Sequence, residues 1–134
     1  MPELPEVETT IRYLKSKVKG KKIISINRSQ KKLRKNLNFQ DLEQISQKKI
    51  ISVERFAKYI IIGLENENYV IIHLGMSGRL KFYLNENYKK EKHDHVVLQF
   101  NKFKIIYNDP RRFGMFFRCL LYTSPSPRDI GESR

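Results

Sequence analysis

The chain opens Met1-Pro2-Glu3-Leu4-Pro5-Glu6, and its second residue has the least ordinary chemistry. Methionine aminopeptidases remove an initiator methionine readily when a small residue such as proline follows, which would leave the ring nitrogen of Pro2 as the chain terminus. An α-amino group has a pKa of about 7.7–8.0, against about 10.4 for lysine, so a far larger share of it is unprotonated and nucleophilic at neutral pH. A secondary amine that condenses with a sugar aldehyde carbon gives an iminium that cannot discharge itself by losing an N–H. That fixed cation is an electron sink and acidifies the neighbouring C–H, so elimination can follow from the same intermediate. Glu3 lies beside the amine and offers a carboxyl group to shuttle protons, and Glu6, about one helical turn on, stands where it can orient the amine or a water. Both glutamates also suit the positive end of a helix dipole, a stabilisation of about 0.3–1 kcal/mol, and taken alone they read that way.

These groups need a scaffold. Val7, Ile11, Leu14 and Val18 repeat at the spacing of one buried helical stripe, Pro5 sits where a first-turn proline is tolerated, and Gly20 ends the helix. Short segments rich in β-branched and aromatic residues follow at Ile23–Ile26, Ile50–Phe56, Tyr59–Leu64, Tyr69–Leu74, Arg79–Leu84, His95–Phe100, Phe103–Tyr107 and Met115–Phe117. Phe39, Leu42 and Ile45 fall on one face of a short helix near Asn38–Gln47. The expected fold is mainly β with two α-helices: an antiparallel β-sandwich flanked by the N-terminal helix and the second short one. From Cys119 the text changes to CLLYTSPSPRDIGESR, without strand pattern. Residues 1–118 are therefore expected to form one domain, and 119–134 to be a tail that is either a disordered linker or non-native sequence.

Composition narrows the partner. The 134 residues carry 27 Lys and Arg against 14 Asp and Glu, a net charge of +13. That excess favours a polyanion, and nucleic acid is the commonest; a solubilising surface in a Lys-rich proteome is the alternative. One cysteine, Cys119, excludes a disulfide framework or a cysteine-ligated zinc site within this chain. With no long apolar run and no signal-peptide pattern, a cytoplasmic protein that does not engage a membrane is expected. His93 and His95 stand two apart, which on one strand would put them on one face with Asp94 between. No further ligand cluster accompanies them, and no metal site is expected.

Five segments carry a family resemblance: PELPEVET from Pro2, AKY at Ala57–Tyr59, HLGMSG at His73–Gly78, KHDH at Lys92–His95 and DPRRFG at Asp109–Gly114. In this order and spacing, from residue 1 to about 118, the chain resembles the N-terminal domain of bacterial formamidopyrimidine-DNA glycosylase. The resemblance implies base-excision DNA repair by a bifunctional DNA glycosylase and abasic-site lyase that removes oxidised purines (8-oxoguanine and formamidopyrimidines) from double-stranded DNA. It implies Pro2 as Schiff-base nucleophile, Glu3 as acid, Glu6 in support, and Lys58 assisting base removal and β-elimination. It also implies DNA contacts by His93 and Arg111, with Met76, Arg111 and Phe113 filling the space left by an extruded nucleotide.

That last role has a physical basis. Extruding a nucleotide costs a few kcal/mol of unstacking and unpairing, and apolar wedges between base steps are one solution. Arg111 can offer its planar donor fork to the base left without a partner. Met76 and Phe113 sit on turn-like sequence with glycines and charges beside them, which favours exposure; ordinary core residues at hairpin ends are the alternative. Lys92 and Arg112 would add phosphate contacts, which set affinity without reading sequence. The family's full enzyme is about twice this length and adds a helix–two-turn–helix motif and a zinc finger, so no cofactor is expected in this chain. A monomer associated with the bacterial nucleoid is implied, with weak DNA binding and little excision by the isolated chain. A non-catalytic basic nucleic-acid-binding module is the competing reading.

Overall fold

The computed structural model describes residues 4–120. Helix α1 spans Leu4–Val18, and its stripe of Val7, Ile11, Leu14 and Val18 is buried as its spacing requires. Lys15 and Lys17 occupy the last turn, where the helix dipole favours cations, and Gly20 adopts φ +83 just beyond it. Helix α2, Phe39–Ile45, begins at a capping box: the Asp41 amide donates to Asn38 Oδ1 at 2.8 Å and the Asn38 amide donates back to Asp41 Oδ2 at 2.9 Å.

The strands are β1 Ser25–Arg28, β2 Ile50–Phe56, β3 Tyr59–Leu64, β4 Asn68–His73, β5 Arg79–Leu84, β6 Asp94–Gln99, β7 Phe103–Asn108 and β8 Met115–Leu120. They form two antiparallel sheets of four, ordered β1-β6-β7-β5 and β2-β3-β4-β8. Ile26, Val53, Ile60, Ile62, Val70, Ile72, Val96, Leu98, Ile105 and Phe116 contribute to one apolar core with the α1 stripe. The architecture is the expected sandwich with two helices.

Each helix closes one open side of it. Helix α1 packs on β2, an edge of one sheet, and its Tyr13 ring meets Phe82 of β5, the edge of the other, edge-on at 6.1 Å. Helix α2 packs on β1 and β8, the two remaining edges, and Asp41 Oδ1 accepts from Arg118 Nε of β8 at 2.8 Å. Covered edges cannot recruit another chain's strands. None of the described helices is long and apolar enough to cross a membrane.

Several expectations need correction. The first strand begins two residues late, because the Ile23 amide donates to Lys48 O at 2.9 Å while the Ile24 amide donates to Gln99 O at 2.7 Å. The chain crosses there from one sheet's side to the other, and only from Ser25 does it run along β6. The last strand continues to Leu120, because Asn68 and Tyr69 of β4 pair with Leu120 and Cys119. The expected boundary at 118 therefore cuts a strand, and the rest of the expected tail lies outside the described residues. Phe39 does not share the buried face of α2: as the residue next to the cap it is 79% exposed, while Ile45 is fully buried.

Candidate functional site

Four of the motif segments, AKY, HLGMSG, KHDH and DPRRFG, gather at one pole of the sandwich because strand register puts them there. In one sheet Tyr59, His73 and Met115 form a single rung across β3, β4 and β8; in the other, Asp94, Asn108 and Arg79 do the same across β6, β7 and β5. From these rungs leave the Ala57–Lys58 turn, the Gly75–Gly78 turn, the Asp109–Gly114 loop and the approach to β6 that carries His93. At the turn of the β2–β3 hairpin, Ala57 takes φ +53, which is unusual for a residue with a Cβ, and Lys58 is half-buried.

The Gly75 turn and the Asp109–Gly114 loop touch backbone to backbone. Gly75 has φ +63, and a Cβ there would fall 2.7 Å from the Gly114 amide nitrogen and 2.8 Å from the Phe113 carbonyl carbon. A Cβ on Gly114 would lie 1.7 Å from the Tyr107 hydroxyl. These two glycines exist to permit that approach.

Asp109, fully buried, holds the contact together. Its Oδ1 accepts from Ser77 Oγ at 2.8 Å and from the Arg112 amide at 3.0 Å, while Oδ2 accepts from the Gly114 amide and from Tyr107 Oη, each at 2.9 Å. Ser77 Oγ in turn accepts the Arg111 amide at 3.1 Å. The Arg112 amide also approaches Asp109 O, so Asp109-Pro110-Arg111-Arg112 closes a turn with proline at its favoured second position and Arg112 at φ +58. The Asp109 backbone binds the third segment: its amide donates to His93 O at 3.0 Å, and its carbonyl accepts from His95 Nε2 at 2.8 Å. Ser29 Oγ then donates to His95 Nδ1 at 3.1 Å.

His73 Nδ1 accepts the Gly75 amide at 3.0 Å, which places the proton of its neutral ring on Nε2. Burial, then the charges of Arg34 and Lys58, hold its pKa below the ordinary histidine value. Arg34 arrives on the loop between β1 and α2, which docks through the Arg34 amide onto Gly114 O at 3.0 Å and through Lys35 O, which accepts the Phe116 amide at 2.9 Å. Asp94, also buried, receives Asn108 Nδ2, the Glu91 amide, Tyr88 Oη and Lys81 Nζ. Burial pushes its pKa up, but these donors outweigh that and hold it below the usual range.

Pro2 and Glu3 lie outside the described residues; Glu6 is in the first turn of α1, and its side chain is not described. Met76 is 45% exposed and Phe113 51%, and Arg111 is exposed between them in sequence, so these three project from the pole. His93 does not share a strand face with His95. It precedes β6, and a register shift between Asp94 and Val96 buries both Asp94 and His95 while His93 stays half-buried. Among the described residues no group of His, Cys, Asp or Glu is placed to hold a metal. Sequence reasoning missed Asp109, Ser77, His73 and Arg34 as site builders. An aspartate directly before proline, two residues past a buried tyrosine, was the available signal for the first. A groove of about 230 Å³ opens elsewhere, lined by Thr9, Tyr13, Leu14 and Leu80 among others, and of its lining residues only Thr9, the last of the opening segment, belongs to a motif.

Residues 1–116 match the model of the formamidopyrimidine-DNA glycosylase N-terminal domain. The formamidopyrimidine-DNA glycosylase of Rickettsia bellii (strain OSU 85-389) is 48% identical over 118 residues, 87% of this chain and 43% of that protein. The protein of that name from Rickettsia africae (strain ESF-5) is 45% identical over the same share of each. Among solved structures, the Lactococcus lactis Fpg in complex with abasic-site DNA superposes with a TM-score of 0.81 at 34% identity, covering 88% of this chain and 44% of that one. The wild-type Lactococcus lactis protein with DNA containing N7-benzyl-Fapy-dG gives the same TM-score at 35% identity and the same coverage. The chain thus spans less than half the length of these relatives. By the extent of the match and the identity to its relatives, it belongs to the formamidopyrimidine-DNA glycosylase N-terminal domain family.

Proposed function

We propose that this chain is the catalytic half of a base-excision repair enzyme, a DNA glycosylase and abasic-site lyase acting on oxidised purines in double-stranded DNA. The observation that carries the reading is the convergence of three loops at one pole, with Met76, Arg111 and Phe113 projecting outward from a base locked by Asp109. A locked base with protruding apolar tips suits insertion into a stack of bases better than enclosure of a small molecule. The relatives' names and the DNA in the related crystal structures support the same partner.

In this reading the Pro2 nitrogen bonds to C1′ of the damaged nucleotide, the glycosidic bond breaks, and Glu3 supplies the proton that opens the sugar ring. The iminium then acidifies C2′; loss of that proton breaks the C3′–O bond and expels the phosphate. Glu6 orients the amine, and Lys58, at the β2–β3 turn, assists base removal and elimination. Lys58, Arg34 and His93 line the same pole and supply phosphate contacts. Met76 and Phe113 occupy the gap left by the extruded nucleotide, and Arg111 pairs with the base opposite.

Borohydride trapping tests this. With duplex containing an abasic site, the processed chain is expected to give a covalent adduct, and a chain acetylated at Pro2 or retaining Met1 to give none while still binding the duplex. An adduct that persists with the terminus blocked would overturn the proline mechanism. Binding without an adduct from any form of the chain would favour the non-catalytic DNA-binding module.

A further inference from the structure

Met76 and the pair Arg111 and Phe113 lie on two separate crossings between the sheets, β4 to β5 and β7 to β8, with the whole of β5, β6 and β7 between them in sequence. Side chains from two independent loops would drift apart on thermal timescales, yet a wedge and its companion work only if they enter the same base step together. What couples the loops here is a short polar relay. The hydroxyl of Ser77, one residue past Met76, donates to Asp109 Oδ1 at 2.8 Å and accepts the Arg111 amide at 3.1 Å. Asp109 Oδ1 also receives the Arg112 amide, and Oδ2 the Gly114 amide, so the residues on either side of Phe113 are held by the same carboxyl group. Among the described residues, Ser77 is the only side chain of the Gly75–Gly78 turn that hydrogen-bonds Asp109 or Arg111.

We propose that Ser77, acting through Asp109, is a positioning residue that fixes Met76 in register with Arg111 and Phe113, so that the three enter damaged duplex as one unit. This rests on the repair reading above and adds a residue to it. Ser77 is partly exposed, and its removal leaves Asp109 three of its four hydrogen bonds, so the fold does not depend on it. Its loss leaves the turn held to the loop by the Gly75–Gly114 backbone contact without a hydrogen bond from Ser77 to fix their register, and the penalty falls on the state in which both are inserted.

The chain's affinity for two duplexes identical except for a tetrahydrofuran abasic-site analogue separates the possibilities. The unsubstituted chain is expected to prefer the abasic duplex. Ser77→Ala is expected to cut that preference about three- to tenfold, the worth of one hydrogen bond, with affinity for intact duplex and its salt dependence unchanged. Ser77→Thr, which keeps the hydroxyl, should restore the preference. In a Met76→Ala background, Ser77→Ala should have less than about a twofold further effect, because the side chain it positions is gone. An equal loss on both duplexes, no loss, or full additivity with Met76→Ala would overturn the positioning role and leave the repair reading standing. An unsubstituted chain with no preference for the abasic duplex would overturn the repair reading and this inference with it.

Discussion

At the scale of single residues, His73 joins pH to the site. Its Nδ1 holds the Gly75 amide, and burial together with Arg34 and Lys58 depresses its pKa, so protonation both breaks that bond and adds a third positive charge to a crowded corner. An unfolded histidine titrates near pH 6.5. Between the depressed folded value and that point the unfolded chain binds the extra proton, so stability falls as pH drops through about 6.5 and levels off below the folded pKa. Thermal midpoints measured from pH 7.5 down to 5 should show this decline, and His73→Gln, with a neutral acceptor, should flatten it. Asp94, with its pKa held down by four donors, contributes in a separate and more acidic window. Sequence alone made the motifs legible, and Lys58, Met76 and Phe113 within them are found together at one pole, Met76 and Phe113 exposed there. It did not show what holds them. Asp109 binds partners brought from Ser77 and His93 by sheet register, and such long-range pairing leaves no local periodicity to read.

At the scale of elements, the strands were readable because each is short, apolar and bounded by polar turns. The errors fell where tertiary pairing overrode local pattern, as at Ile23 and Ile24, whose amides serve different sheets, and at Arg118 and Cys119, polar-looking residues held in β8 by β4. Phe39 was misplaced because helical spacing identifies a face but not where the cap begins. Gly20, at φ +83, makes a direct contrast with Gly114. Gly20→Ala meets open space and should cost only about 1–2 kcal/mol for its left-handed backbone. Gly114→Ala drives a Cβ to 1.7 Å from the Tyr107 hydroxyl and should cost about 3 kcal/mol or more, with the Asp109 network disrupted. Urea denaturation midpoints of the two variants provide the comparison, and near-equal values would mean that the two loops do not meet as described.

At the scale of the whole molecule, a net charge of +13 predicts that binding to DNA, the proposed partner, depends on salt. Affinity for intact duplex should fall linearly on a logarithmic plot, and removing one phosphate-contacting cation should flatten the slope by about 0.9. Arg112→Gln is the variant to measure: an unchanged slope would remove Arg112 from the interface, although its exposed position at φ +58 on the loop beside Arg111 argues for contact. The pairing of His73 with Met115 has a further consequence, for ancestry. Both projecting loops are launched from that one rung, and a strand displaced by a single residue turns every side chain to the opposite face. A residue gained or lost in 74–78 or 109–114 would also break the Gly75–Gly114 contact and the Asp109 hydrogen bonds, whereas the exposed turn at Glu65–Glu67 is free to lengthen. Descent should therefore have left its insertions and deletions at one end of the sandwich and nearly none at the other.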